Sequence, residues 1–336
     1  MQTTTHLTFP ADRAFALFRA KAVEHELATS EADDRLTVFS PYGEIIVASE
    51  RKGVRLTLSA QDRSRLYVLQ ETVDYHLDEI GVAAALRWSQ TEAGAYPPNL
   101  AFATVARCTQ ISPSYFRVSL SDPSLERFSR DGLHFRMIFA PDGHAGEWPT
   151  IAENGRTHWP AGIQAWHRPV YTVRRIDADA GQFDFDVFIH EGGRMTEWCR
   201  TLSSGDRVAI IGPGGEWHVE APWVGLLGDE TALPAIARHL EALPPQGSGV
   251  AAIMVGHEDD RQELARPVGV EVRWIVRGRG ETLLDALAAL SIPSSDRFVW
   301  FAGEKGEAAA ARERLIQAGL SKTEMRTAAY WVRGGE

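Results

Sequence analysis

The 336-residue chain carries only two cysteines, Cys108 and Cys199. Two thiols cannot build a disulfide framework, and neither has a Cys-x-x-Cys partner for zinc or an iron–sulfur cluster. No metal site is expected, and both thiols are read as buried small hydrophobes. An apolar run of the roughly 18 residues that a membrane helix needs is absent. The opening "MQTTTHLTFPADRAF" lacks the basic and apolar regions of a signal peptide. The expectation is a cytoplasmic protein without membrane insertion. Positive charge is in deficit too: 35 Lys and Arg against 45 Asp and Glu leave a net charge of −10. Phosphate affinity needs clustered cations, so general nucleic-acid binding is excluded and any anionic ligand requires a local basic pocket.

What is present is a soluble globular composition, 44% hydrophobic and 24% charged, in a chain long enough for two or three domains. "PADRAFALFRAKAVEHEL" has helical spacing, "RLTVFS", "GEIIVASE" and "GVRLTLSA" alternate, and "QDRSRLYVLQETVDYHLDEIG" returns to the helical period and stops at Gly81. This predicts a small α-β-β-β-α domain over residues 1–88, followed by a Pro/Gly linker, "SQTEAGAYPPNL". Residues 101–221 hold closely spaced strand signals, as in "YFRVSLS", "HFRMIFAP" and "DRVAIIGP", which predict an antiparallel barrel. From 222 to 336 apolar strands alternate with helices such as "TALPAIARHLEAL", predicting an α/β domain with a mainly parallel sheet.

One strand in the barrel segment is odd. "HRPVYTVRRID" packs Arg168, Tyr171, Thr172 and Arg174 together. A flavin dinucleotide needs an aromatic plane, a small hydroxyl near N5 and a guanidinium for its phosphates, and this strand supplies all three. Strand propensity alone also accounts for Tyr and Thr. Further on, "IHEGGRMTEWC" reads as strand end, Gly-Gly turn and helix start, whose backbone N–H groups from Gly193 on, with Thr196 in reach, can cradle a phosphate. "GDRVAIIGPGGEW" ends in a glycine turn that lets backbone pass close to a ligand.

Together with "GDETALPAIARHLEALP", "VWFAGEKGEAAAARERL" and "YWVRG", these stretches resemble the siderophore-interacting protein family, flavin-dependent ferric-siderophore reductases with a ferredoxin reductase-like architecture. The resemblance covers about residues 101–336. It implies an FAD-binding barrel followed by an NAD(P)H-binding α/β domain, with Tyr171 against the flavin, Thr172 near N5, and Val173 and Arg174 on the cofactor side. It further implies His190, Gly193, Met195 and Thr196 at the pyrophosphate and Gly214 beside the cofactor. The family's arginine lies one residue later than Arg168. Either a bulge at Pro169 returns Arg168 to the phosphates, or Arg174 takes over. The first 88 residues resemble a small domain of unknown function and are assigned no chemistry.

Asp229, Thr231 and Ala232 lie in the first strand–turn–helix of the α/β domain, where Thr231 is a candidate N-cap facing a nicotinamide dinucleotide. Glu258, Asp259 and Asp260 suit ribose hydroxyls and repel a 2′-phosphate, favouring NADH over NADPH; Arg261 or Arg277 would reverse that choice, and reduced ferredoxin is another donor. The resemblance also implies basic residues for an anionic ferric siderophore: Arg136, Arg326 and Arg333. Tyr330 and Trp331 either pack beside the flavin or close the sheet. The leading reading is a monomeric FAD-dependent ferric-siderophore reductase releasing Fe(II); the alternatives are a non-catalytic siderophore-binding protein and a broad ferric-chelate reductase.

Overall fold

The computed structural model describes residues 1–25, 27–82, 86–129, 132–215 and 221–334. The N-terminal part comprises Gln2–Leu7 (β1), Ala11–Glu24 (α1), Ala28–Ala32 (β2), Arg35–Ser40 (β3), Gly43–Glu50 (β4), Gly53–Ser59 (β5) and Arg63–Glu79 (α2). Its antiparallel sheet runs β1-β5-β4-β3-β2. Alternation sends Leu36, Val38, Val47, Leu56 and Leu58 to one face, where they meet Phe18 of α1 and Leu69 and Val73 of α2. Burial of each such side chain stabilises by about 2 kcal/mol. The sheet has two strands more than the sequence signals predict. In β1 the inward residues include Thr3 and Thr5, and β2 is exposed throughout, so neither shows an apolar alternation.

The next part contains Leu100–Ser112 (β6), Tyr115–Ser121 (β7), His134–Ile138 (β8), Thr150–Ile151 (β9), Thr157–His158 (β10), Val170–Thr172 (β11), Arg175–Asp177 (β12), Gln182–Phe188 (β13), Arg194–Thr201 (α3) and Arg207–Gly214 (β14). Seven strands form one sheet, ordered β11-β8-β14-β6-β7-β13-β12. The stretch that reads as one strand is two, at opposite edges of that sheet. Val173 N–H donates to the Leu133 carbonyl (3.0 Å), and the next residue, Arg174, donates to the Asp184 carbonyl (2.7 Å). Two residues therefore cross from one edge to the other, and they close the barrel around Phe128, Phe135, Phe183 and Phe185.

The C-terminal part is Trp223–Gly228 (β15), Leu233–Ala242 (α4), Ser248–Val255 (β16), Gly269–Val276 (β17), Leu283–Ala288 (α5), Arg297–Glu304 (β18), Lys305–Gln317 (α6) and Met325–Trp331 (β19). All pairings are parallel, in the order β17-β16-β15-β18-β19. The antiparallel barrel and the parallel α/β sheet are thus the two architectures that the sequence pattern indicates.

Contacts divide the chain into two compact units, residues 1–101 with 138–168, and residues 102–137 with 169–336. Residues 138–168, which lie inside the barrel segment by sequence, pack with the N-terminal part. Gln70 Nε2 donates to the Gly155 carbonyl (2.7 Å), the Thr157 hydroxyl donates to Glu71 (2.6 Å), and Trp88 N–H donates to the Asn154 carbonyl (3.3 Å).

Candidate functional site

β11 pairs with β8 so that Tyr171 faces Phe135 and Thr172 faces His134. Directly opposed residues share a face, and successive residues alternate. Tyr171 is half-buried on the core side, its ring 5.1 Å from Phe185 and 6.4 Å from Phe135. Burial, with a smaller contribution from the Cys199 thiol, pushes its phenol above the usual range. Thr172 is buried on the other face, and its hydroxyl bonds to no other described residue.

The barrel closure engages the residues that follow. Val173 is fully buried, and its carbonyl accepts from Arg238 of α4 (2.5 Å). Arg174 is 2% exposed and donates to Glu241 of the same helix (2.7 Å), so it is directed at α4 rather than out of the barrel. Arg168 falls in the other unit, its guanidinium 5.3 Å from the Trp159 ring centre and near Glu71. Both arginines considered for the phosphates are engaged by protein groups.

α3 begins at Gly193 without a side-chain cap. The N–H groups of Arg194, Met195 and Thr196 therefore lack intrahelical acceptors. Thr196 is fully buried, and its hydroxyl accepts from the His190 N–H (3.2 Å), which fixes the turn before the helix; Met195 is buried beneath it. A Cβ at Gly193 would lie 2.5 Å from the His190 ring, so a side chain there would have to push that imidazole aside. An uncapped N-terminal turn behind a glycine pair suits a pyrophosphate, and on that ground these residues fit an FAD.

On the Thr172 side, His134 lies between β11 and β14. A Cβ at Gly215 would meet its Nδ1 at 2.4 Å, and one at Gly214 would meet its Nε2 at 3.2 Å; Gly215 also has φ +81°. The imidazole is pushed down to about 4, first by burial and then by the charges of Arg136 and Arg326. Arg136 follows two residues along β8, and Arg326 lies on β19. Two of the three expected substrate arginines thus act by charge on one imidazole. Arg333 is not one of them; its N–H donates to Glu304 (3.3 Å). His134 is not among the residues expected from the sequence; its period-2 spacing from Arg136 in "HFRMIF" is the signal that could have found it. Glu216 and Trp217 of the glycine-rich stretch lie outside the described residues.

At the β15–α4 turn, the expected residues are occupied by the turn itself. Asp229 is fully buried; it accepts from the Thr231 N–H (3.0 Å) and hydroxyl (2.6 Å) and from Trp331 Nε1 (2.6 Å). Burial raises its carboxyl, and those bonds oppose the shift. Its carbonyl accepts from the N–H groups of Ala232 and Leu233, and the N-cap is Ala232 rather than Thr231. Arg277 forks onto buried Glu230 (2.7 and 2.5 Å). Asp260 is buried and accepts from the Ser112 hydroxyl (2.7 Å) and the N–H groups of Ser114 and His257 (both 2.9 Å), while Asp259 is exposed. Trp331 closes the sheet against Asp229; Tyr330 is exposed, with its ring edge-on to Trp300.

Residues 104–217 match the siderophore-interacting FAD-binding domain, and residues 221–334 match the siderophore-interacting protein domain. The chain is 28% identical over 259 residues to the ferric vibriobactin reductase ViuB of Vibrio cholerae, covering 71% of this chain and 90% of that protein. It is 31% identical over 242 residues to the NADPH-dependent ferric-chelate reductase of Escherichia coli, covering 68% and 91%. A siderophore utilization protein from T. fusca superposes with a TM-score of 0.62 at 31% identity, over 74% of this chain and 98% of that one. The chain belongs to the siderophore-interacting protein family.

Proposed function

We propose that this protein reduces ferric siderophores and releases Fe(II), using non-covalent FAD and electrons from NAD(P)H. What supports the reading is that the charges of Arg136 and Arg326 both act on His134, which pairs with Thr172 across β8 and β11. Siderophores hold Fe(III) through hard oxygen donors and Fe(II) far less well, so one electron suffices to loosen the metal. Bound on the barrel, FAD would supply the exchange between a two-electron donor and a one-electron acceptor. Around it the chain binds and orients. The first N–H groups of α3, from Arg194 to Thr196, would hold the pyrophosphate; Thr172 would offer its hydroxyl to the flavin; Tyr171 backs that strand; Arg136 and Arg326 would attract the anionic iron complex. Outer-sphere transfer needs proximity rather than a nucleophile, and no catalytic acid or base is assigned.

The finer reading prefers NADH. It is supported by the exposed carboxylates Glu258 and Asp259 and by the engagement of Arg277 with Glu230, which leaves that guanidinium directed at a carboxylate. The Escherichia coli relative is NADPH-dependent by name, so the donor is the first thing to test. Reduced ferredoxin is the other donor to compare; a cytoplasmic monomer is the expected form. The decisive experiment is an anaerobic visible spectrum before and after NADH or NADPH, and then after a ferric siderophore. A flavin band that bleaches with donor and returns with the iron complex is the expected result. A colourless protein that cannot be loaded with FAD would overturn the reading in favour of a siderophore-binding protein.

A further inference from the structure

Resting on the reading of this site as one for an anionic iron complex, we propose that His134 takes up a proton when the anion binds, coupling ligand affinity to pH. The geometry carries it. His134 is the strand neighbour of Thr172 on one side and is wedged against Gly214 and Gly215 on the other. No side chain of β11 or β14 facing it is charged or titratable, since β11 presents Thr172 and β14 presents Gly214, with Gly215 just beyond that strand. The charged groups acting on it, among the described residues, are Arg136 on its own strand and Arg326 on β19. Among the described residues, neither ring nitrogen makes a hydrogen bond within the protein.

An imidazole packed between Thr172 and the Gly214–Gly215 backbone, with two arginine charges acting on it, has one charge state without ligand and another with it. Without an anion, burial and the two positive charges keep the ring neutral. An anion drawn to those arginines cancels their repulsion and adds attraction of its own, which favours the imidazolium. The sign follows from linkage: the complex binds more protons than its parts, so affinity rises as pH falls. The window opens at the bound-state value and closes near the unliganded value of about 4. If binding restores the ring to the ordinary imidazole range of about 6.5, affinity increases about tenfold between pH 8 and pH 5.5. His134 acts here through charge rather than by bonding to the reacting atoms.

The test uses FAD-loaded protein and hexacyanocobaltate(III), a redox-inert octahedral trianion whose own charge is constant from about pH 5 to 8. Affinity is measured across that range by calorimetry in two buffers of different ionisation enthalpy, which reads proton uptake directly. The expected wild-type result is the tenfold tightening with uptake approaching one proton. His134→Asn and His134→Gln, each retaining FAD, should bind with little dependence on pH and without uptake. Wild-type binding without uptake overturns the proposal and leaves the anion-site reading standing, as does an unchanged pH slope in either variant. Absence of binding by the wild type at every pH overturns both. Should neither variant retain FAD, the wild-type proton count alone decides.

Discussion

Asp74 on α2 is 4% exposed and accepts from Trp88 Nε1 at 3.0 Å. Burial pushes its carboxyl up to about 7; Trp88 and Arg156 oppose the shift, and Glu71 and Asp78 add to it. The unfolded value is near 3.9. The folded state therefore holds the extra proton, so stability is greatest at low pH and declines as pH rises from about 4 to about 7. Three units correspond to roughly 4 kcal/mol at most. Asp74→Asn keeps an acceptor for Trp88 and removes the titration. Its advantage over wild type in urea unfolding should grow between pH 5 and pH 8, and an equal difference at both would refute the assignment. Legibility at this scale followed the range of the interaction. Thr172, Gly193 and Thr196 stand in short motifs whose chemistry is local, so the sequence alone singles them out as candidates. Arg174 was read as a cofactor ligand, yet its partner Glu241 lies 67 residues away on a helix that no spacing rule connects to it.

Among the elements, the β11–β12 closure shows where periodicity stops being informative. Alternation located "PVYTVRRID" as extended chain, but an edge-to-edge crossing at Val173 and Arg174 leaves no mark on a period-2 pattern, because both halves remain extended. β1 and β2 were missed for a different reason, since their residues are polar inward or exposed on both faces. The crossing predicts its own weak point. α4 clamps it through Arg238 on the Val173 carbonyl and Glu241 on Arg174. Glu241→Ala strands a guanidinium that is 2% exposed. Removing one partner of a fully buried pair costs about 3–5 kcal/mol; with Glu241 one-third exposed the expected loss is about 2 kcal/mol. Arg273→Ala, which breaks the surface pair with Glu281, should cost under about 1 kcal/mol. Chemical denaturation of both variants checks the ranking, and equal losses would mean that the clamp adds nothing.

At the scale of the whole molecule, the alternation of strands and helices after residue 222 announces a parallel sheet because each element carries its own period. The allegiance of residues 138–168 is invisible in sequence, because it is set by partners on α2 and in the linker. The two ends of that segment continue into β8 and β11, the strands that carry His134, Arg136 and Thr172. Its anchors are Gln70 on the Gly155 carbonyl, Glu71 under Thr157, and the pairing of Ile151 with Gly94 and Ala95. A chain beginning at residue 89 would lose Gln70, Glu71 and Trp88 and leave the Gly155 carbonyl, the Thr157 hydroxyl and the Asn154 carbonyl without those partners. If the first 88 residues were an appended domain, their deletion would leave a monodisperse yellow protein. The contacts predict otherwise. The shortened chain should aggregate or lose most of its FAD, whereas Gln70→Ala, which removes one anchor from a buried carbonyl at a cost of about 1–3 kcal/mol, should lower the melting temperature and retain the flavin. Size-exclusion chromatography with the ratio of flavin to protein absorbance reads both, and a well-behaved, fully loaded deletion would show that the rest of the chain folds and binds flavin without the N-terminal part.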